Sequence, residues 1–300
     1  MSIYKWLQEN THNISEQTIA VTGTTGGLGR QLCRYLCEFG AKIIMLDRNA
    51  ERAEILCREL LKQFPDADIK RIAVDLEDME SVKSVTETLK KLPINIFIHN
   101  AGAYSIPRHK CSTGFDNVFQ INFVSPYYMI RKLMPSLRER GGKVIAVGSI
   151  AHNYSETDPL DIDFSSRLAA SKVYGNSKRY LMFSLFELFK NEKSVKLSIV
   201  HPGITFTNIT AHYPKLIFAV IKYPMKLIFM SPKKAALSTV KGIFSDCGYH
   251  EWIGPRVFNI WGLPKLKKLK TCSEKESLYI GDSADKIYRK LQPELFFDIS

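Results

Sequence analysis

No aspartate or glutamate occurs between Glu192 and Asp246, a stretch that carries eight lysines. The whole chain has a net charge of +12, so this acid-free block is the sharpest part of a general imbalance. It suggests an anionic partner: a membrane surface, a phosphate-bearing cofactor or nucleic acid. Nucleic acid fits worst, because no zinc-finger, homeodomain or RNA-recognition signature is present and the lysines sit among aliphatic residues. The six cysteines (Cys33, Cys37, Cys57, Cys111, Cys247 and Cys272) form no C-x-x-C pair and no disulfide-framework spacing. They read as reduced thiols of a cytosolic protein, with Cys33 and Cys37 on one helix face. No metal site is expected. There is no apolar run of about 18 residues to span a bilayer. The opening M-S-I-Y-K-W-L-Q-E-N lacks the apolar core of a signal peptide. The expected location is cytoplasmic, with at most peripheral membrane contact. Repeats, low-complexity segments and linkers are missing too, which leaves one domain over residues 1–300.

What is present is enough for a large core. Of the 300 residues, 45% are hydrophobic and 24% charged, which excludes a disordered chain. Strand-like and helix-like segments alternate. Residues 18–22, 42–46, 69–74, 94–99, 143–148 and 195–200 read as strands, short, β-branched and mostly continuously apolar. Helical patterns lie at about 27–39, 49–64, 78–91, 112–140 and 171–191, and Asn49 is placed to cap the second. Together they predict an α/β fold: a doubly wound, Rossmann-type, mostly parallel sheet with helices on both faces. Residues 17–208 form its cofactor-binding core. Residues 209–300 supply covering helices and a tail, with 209–246 helical, 262–277 a polar lysine-rich loop and 282–292 a final short helix.

The first strand runs into Thr22-Gly23-Thr24-Thr25-Gly26-Gly27-Leu28-Gly29. Glycines at a strand-to-helix junction let the backbone approach a pyrophosphate, and the helix N-terminus beyond offers free N–H groups. A tight structural turn is the plainer alternative, made less attractive by the position on the first such junction. Asp47 ends the second strand. Its carboxylate is placed to accept from adenosine-ribose hydroxyls and to repel a 2′-phosphate, which favours NAD(H). Arg48 follows at once and is able to pair with a 2′-phosphate instead, which keeps NADP(H) open.

Tyr174 and Lys178 stand one helical turn apart in Y-G-N-S-K and share a face. A free tyrosine has a pKa of about 10, and a nearby ammonium lowers it toward general-base duty. Y-x-x-x-K alone is weak evidence. Its company is stronger. Ser149 follows the fifth strand, Asn100-Ala101-Gly102 the fourth, Asp75 the third and Pro202-Gly203 the sixth. All are carboxyl ends, where ligands bind in such sheets.

These motifs, with Asn122 and H-P-G-I-T-F-T at 201–207, resemble those of the short-chain dehydrogenase/reductases over roughly residues 17–260. The resemblance implies a catalytic tetrad. Tyr174 is the acid/base, Lys178 binds the nicotinamide ribose and lowers the tyrosine pKa, Ser149 polarises the carbonyl, and Asn122 supports a proton-relay water. It also implies a cofactor site built from Gly23, Thr25, Gly27, Leu28, Gly29, Asp47, Arg48, Asp75, Leu76, Asn100, Ala101, Gly102, Tyr174, Lys178, Pro202, Gly203, Ile204 and Thr207. His99 departs from the usual Asn and reads as support for the strand or turn; Thr205 departs from a common aliphatic residue. The segment after Ser149 and S-P-K-K-A-A at 231–236 resemble the retinol-dehydrogenase-like branch, many of whose members prefer NADP(H).

The expected activity is hydride transfer between a nicotinamide cofactor and an alcohol or carbonyl on an apolar substrate. An NADPH-dependent steroid or lipid carbonyl reductase is the alternative enzyme. A dinucleotide sensor or scaffold is the non-enzymatic one. Between 215 and 233, Lys215, Lys222, Lys226 and Lys233 fall on one side of a helical wheel among Ile, Leu, Phe and Met. This segment reads either as a pocket-covering helix or as a peripheral membrane contact. A homo-oligomer is open.

Overall fold

Continuous apolar runs become strands buried on both faces. A computed structural model of the chain describes residues 1–204 and 230–292. Strands β1 (Thr18–Thr22), β2 (Lys42–Asp47), β3 (Ile69–Ala73), β4 (Ile96–His99), β5 (Lys143–Val147) and β6 (Lys196–Val200) all pair in parallel. Two more follow. β7 (Glu251–Val257) runs parallel to β6, and β8 (Trp261–Lys268) runs antiparallel to β7. The order is β3-β2-β1-β4-β5-β6-β7-β8.

Side chains alternate between two cores. Ile19 and Val21 face one, Ala20 the other. Helices α1 (Ile3–Asn10), α2 (Gly27–Glu38), α3 (Ala50–Gln63) and α7 (Leu237–Phe244) pack on the first face. Helices α4 (Met79–Lys90), α5 (Ser125–Glu139), α6 (Ala170–Phe189) and α8 (Glu274–Lys290) pack on the second. Asn49 caps α3 as its sequence suggests, accepting from Arg52 N at 2.8 Å. The strand order reverses between β1 and β4, and the carboxyl ends there open the crevice that this topology reserves for ligands. No helix among the described residues is long and apolar enough to cross a membrane.

Four expectations change. Residues 3–10 form a helix that the sequence reading left unassigned. The supposed lysine-rich loop holds strand β8 over its first half. The final helix starts at Glu274 rather than 282, capped by the Ser273 hydroxyl on Glu276 N. The predicted 112–140 helix begins at Asn117, and its second stretch, Gln120–Val124, is a π-helical segment before α5. The 215–229 part of the basic segment, with Lys215, Lys222 and Lys226, lies outside the described residues, as do Thr205 and Thr207.

Candidate active site

A cleft of about 910 Å³ runs along the carboxyl ends of β1 to β6. Its lining includes Gly23, Thr25, Gly27, Leu28, Gly29, Asp47, Arg48, Asp75, Leu76, Asn100, Ala101, Gly102, Ser149, Tyr174, Lys178, Pro202, Gly203 and Ile204. Of the sequence-predicted site residues that the structure describes, only Asn122 lies off this wall.

The β1–α2 turn is shaped for close approach. Gly23 takes φ +69°, and a Cβ there would stand 2.8 Å from Ala101 Cα. A Cβ on Gly29 would meet the Gly23 carbonyl oxygen at 2.2 Å, so α2 begins hard against the end of β1. The N-cap, Gly26, provides no side-chain hydrogen bond. The first-turn N–H groups of a twelve-residue helix are thus left without a side-chain cap beside the cleft. These features fit a dinucleotide pyrophosphate.

Asp47 meets a geometry the sequence did not announce. Its side chain is buried, and its carboxylate accepts from the Thr24 hydroxyl, from Thr25 N at 3.0 Å and from the Thr25 hydroxyl at 3.1 Å. It closes the glycine turn from beneath. Arg48 is exposed and pairs with Glu77 at 2.9 Å, and Arg52 lines the same end of the cleft.

The next loop is held by a threonine that sequence reading passed over. Thr22 Oγ1 accepts from Asn100 N at 3.1 Å and Ala101 N at 3.0 Å. Its single proton is then available to His99 Nδ1, 3.1 Å away, which makes that nitrogen an acceptor. Burial, with the Lys178 charge second, holds the His99 pKa well below the usual histidine value. His99 is a structural support, as its sequence position suggests.

Asn122 is fully buried beneath Gly102. Its amide oxygen accepts from Ala103 N at 2.9 Å; its amide nitrogen donates to Ala103 O at 2.9 Å and Ser177 Oγ at 3.0 Å. The side chain expected to serve a relay water is engaged in fastening the Asn100–Ala103 loop to α6.

Ser149, Tyr174 and Lys178 converge. Ser149 caps the 3₁₀ turn Ile150–Tyr154, accepting from Ala151 N at 3.2 Å, and its hydroxyl lies close enough to Tyr174 to bear on the phenol's pKa. Gly175 makes this possible: a Cβ there would lie 2.4 Å from the Ala151 carbonyl oxygen, so only glycine lets α6 cross so near. Lys178 is buried, donates to Val147 O at 2.8 Å and lies 5.8 Å from the Tyr174 ring centre. Burial pushes the lysine pKa down to about 7. Burial likewise raises Tyr174 to about 12, opposed by the Ser149 hydrogen bond and reinforced by Tyr104. The expected lowering of the tyrosine pKa by the ammonium is outweighed here, because desolvation disfavours both charged forms. Tyr104 packs edge-on against Tyr174 at 5.1 Å, and with Ile106, Ile121, Ala151 and Tyr154 it makes the adjoining wall largely apolar. Nothing in the sequence pattern marked these lining residues.

A doubly wound sheet with a glycine cradle at one end of its cleft and a Ser–Tyr–Lys cluster at the other defines a nucleotide-dependent oxidoreductase. Residues 17–215 match the family model described as short chain dehydrogenase, and the chain belongs to that family. Short-chain dehydrogenase TIC 32 B, chloroplastic, of Brassica napus is 29% identical over 80% of this chain and 84% of its own length. Retinol dehydrogenase 14 of Mus musculus is 26% identical over 78% and 79%. A short-chain dehydrogenase from Sphingobium yanoikuyae, solved in complex with NADPH, superposes with a TM-score of 0.60 at 19% identity over 76% of this chain and 84% of that one.

Proposed function

We propose that this chain interconverts an alcohol and a carbonyl on an apolar substrate, using NADP(H) in preference to NAD(H). The observation that carries the reaction is the convergence of Ser149, Tyr174 and Lys178 on the wall of one cleft that begins at the Gly23–Gly29 turn. The nicotinamide cofactor, when bound, supplies or takes the hydride. The protein handles the proton and the charge. In reduction, Tyr174 Oη gives its proton to the oxygen of the substrate while the Ser149 hydroxyl donates a hydrogen bond to the same atom. In oxidation, Tyr174 takes the proton back. The Lys178 amine, anchored on Val147 O, holds positive charge behind the phenol as that proton leaves. The apolar wall of Tyr104, Ile106 and Ile121, and the likeness to a protein named for retinol, support a lipophilic alcohol or carbonyl.

The cofactor preference rests on Asp47. With its carboxylate turned into the glycine turn, little of it is left to read a ribose, and Arg48 and Arg52 border the place where a 2′-phosphate would lie. The sequence alone leans the other way. Fluorescence titration with all four nucleotides, followed by turnover on retinoids, steroids and aliphatic alcohols, tests both halves. Tighter NADP(H) binding and measurable turnover are expected. A Tyr174→Phe variant should lose about 10²–10⁴-fold in kcat with cofactor affinity kept. Near-full turnover in that variant would overturn the assignment.

A further inference from the structure

The hydrogen bonds that fix Ser149 do not end in the cleft. His152, fully buried, places Nδ1 2.6 Å from the Ser149 carbonyl oxygen and Nε2 2.7 Å from Thr271 Oγ1. A carbonyl only accepts, so Nδ1 carries the proton; neutral Nε2 then accepts from the Thr271 hydroxyl. The ring packs edge-on against Trp252 at 5.5 Å and Phe183 at 6.0 Å. Beside it, Arg179, the residue after Lys178, is 3% exposed. Its guanidinium forks onto Glu276 of α8, with Nε on Oε1 at 2.7 Å and Nη2 on Oε2. The same group donates to the His152 carbonyl at 3.2 Å and the Thr271 carbonyl at 2.8 Å. Glu276 Oε1 also accepts from Thr157 N at 3.3 Å and its hydroxyl at 3.2 Å. Two short paths therefore join residues 271–276 to the reacting groups: Thr271–His152–Ser149, and Glu276–Arg179–α6, which carries Tyr174 and Lys178.

Thr271 and Glu276 lie beyond residue 215, where the match to the family model stops. We propose that the 271–276 segment is a positioning clamp that works through His152 and Arg179 to hold Ser149 in register with Tyr174. It rests on the roles given to Ser149 and Tyr174 above. None of the clamp residues touches substrate. Its value lies in angular precision: Ser149 opens a short 3₁₀ turn on a loop, and a loop serine needs outside support to stay within a few tenths of an ångström of its productive place.

A Thr271→Val variant removes the hydroxyl while keeping the shape. It should lower kcat about tenfold, with cofactor dissociation constant and thermal midpoint little changed, because a small misplacement at the reacting groups costs rate before it costs fold. Thr271→Ser should restore kcat to within about twofold. Nitrogen-15 NMR of labelled histidine should find His152 in the Nδ1–H form, with the Nε2 resonance shifted in Thr271→Val; this readout does not depend on turnover. An unchanged kcat in Thr271→Val, a Thr271→Ser variant as slow as Thr271→Val, or an Nε2–H tautomer of His152 would each overturn the clamp while leaving the oxidoreductase reading intact. A wild-type protein that binds cofactor but turns nothing over would overturn that reading, and the clamp as a catalytic device with it.

Discussion

Asp47 separates residue type from residue role. The type was legible: an acid at the end of β2 in this topology belongs near a ribose. The role depends on which way the carboxylate turns, and that is set by two neighbouring threonines whose hydroxyls compete for it. No spacing rule reveals such a choice. The convergence of Ser149, Tyr174 and Lys178 on one cleft was legible for the opposite reason: it follows from a strand end and a one-turn helical offset. Asp47→Asn discriminates the two roles. If the carboxylate reads ribose, the substitution weakens NAD(H) and strengthens NADP(H). If it ties the turn, both weaken together, by roughly tenfold, since hydrogen bonds to a charged group are worth about 1.5–3 kcal/mol. The parallel loss is the expected result, measured as dissociation constants by nucleotide fluorescence.

At the scale of elements, parallel strands announce themselves because they are buried on both faces and therefore apolar throughout. β8 does not. Its sequence W-G-L-P-K-L-K-K reads as a loop because it is an outer strand, half wet, with a proline in the run and Lys265 and Lys268 exposed. The π-helical segment at Gln120–Val124 was hidden too, since its apolar residues fit an ordinary helical pattern equally well. Gly175 is the element-level key to the geometry of this cluster, because it sets how near α6 comes to the Ser149 turn. Gly175→Ala should push the two apart and lower kcat by about 10–100-fold, with the affinity for cofactor changing far less. Steady-state kinetics with parallel binding titration checks this; an equal loss in both would assign Gly175 to folding rather than to alignment.

At the scale of the whole molecule, three histidines among the described residues are kept neutral inside. His99, His152 and His201 are buried, and burial pushes their pKa values down, to about 4 for His152 and about 3 for His201. The unfolded chain takes up protons at these positions below about pH 6.5 while the folded one does not. Stability therefore rises with pH through this window and falls as the solution is acidified. Three such sites amount to about 4 kcal/mol between pH 7.5 and 5.5, at roughly 1.36 kcal/mol per site. Urea unfolding at the two pH values should show a loss of this order, before the carboxylates begin to titrate. A flat profile would contradict the native burial of these rings.

The sheet ends at β3 on one side and β8 on the other. β3 shows Lys70 and Arg71 to solvent, and β8 shows Lys265 and Lys268. Among the described strands, each free backbone edge is thus fringed with the same sign of charge. Two copies brought edge to edge would set cation against cation, with Pro264 lacking an N–H to offer. The positive balance that first drew attention to a partner also acts as a solubility device. It opposes growth of the sheet from one molecule into the next.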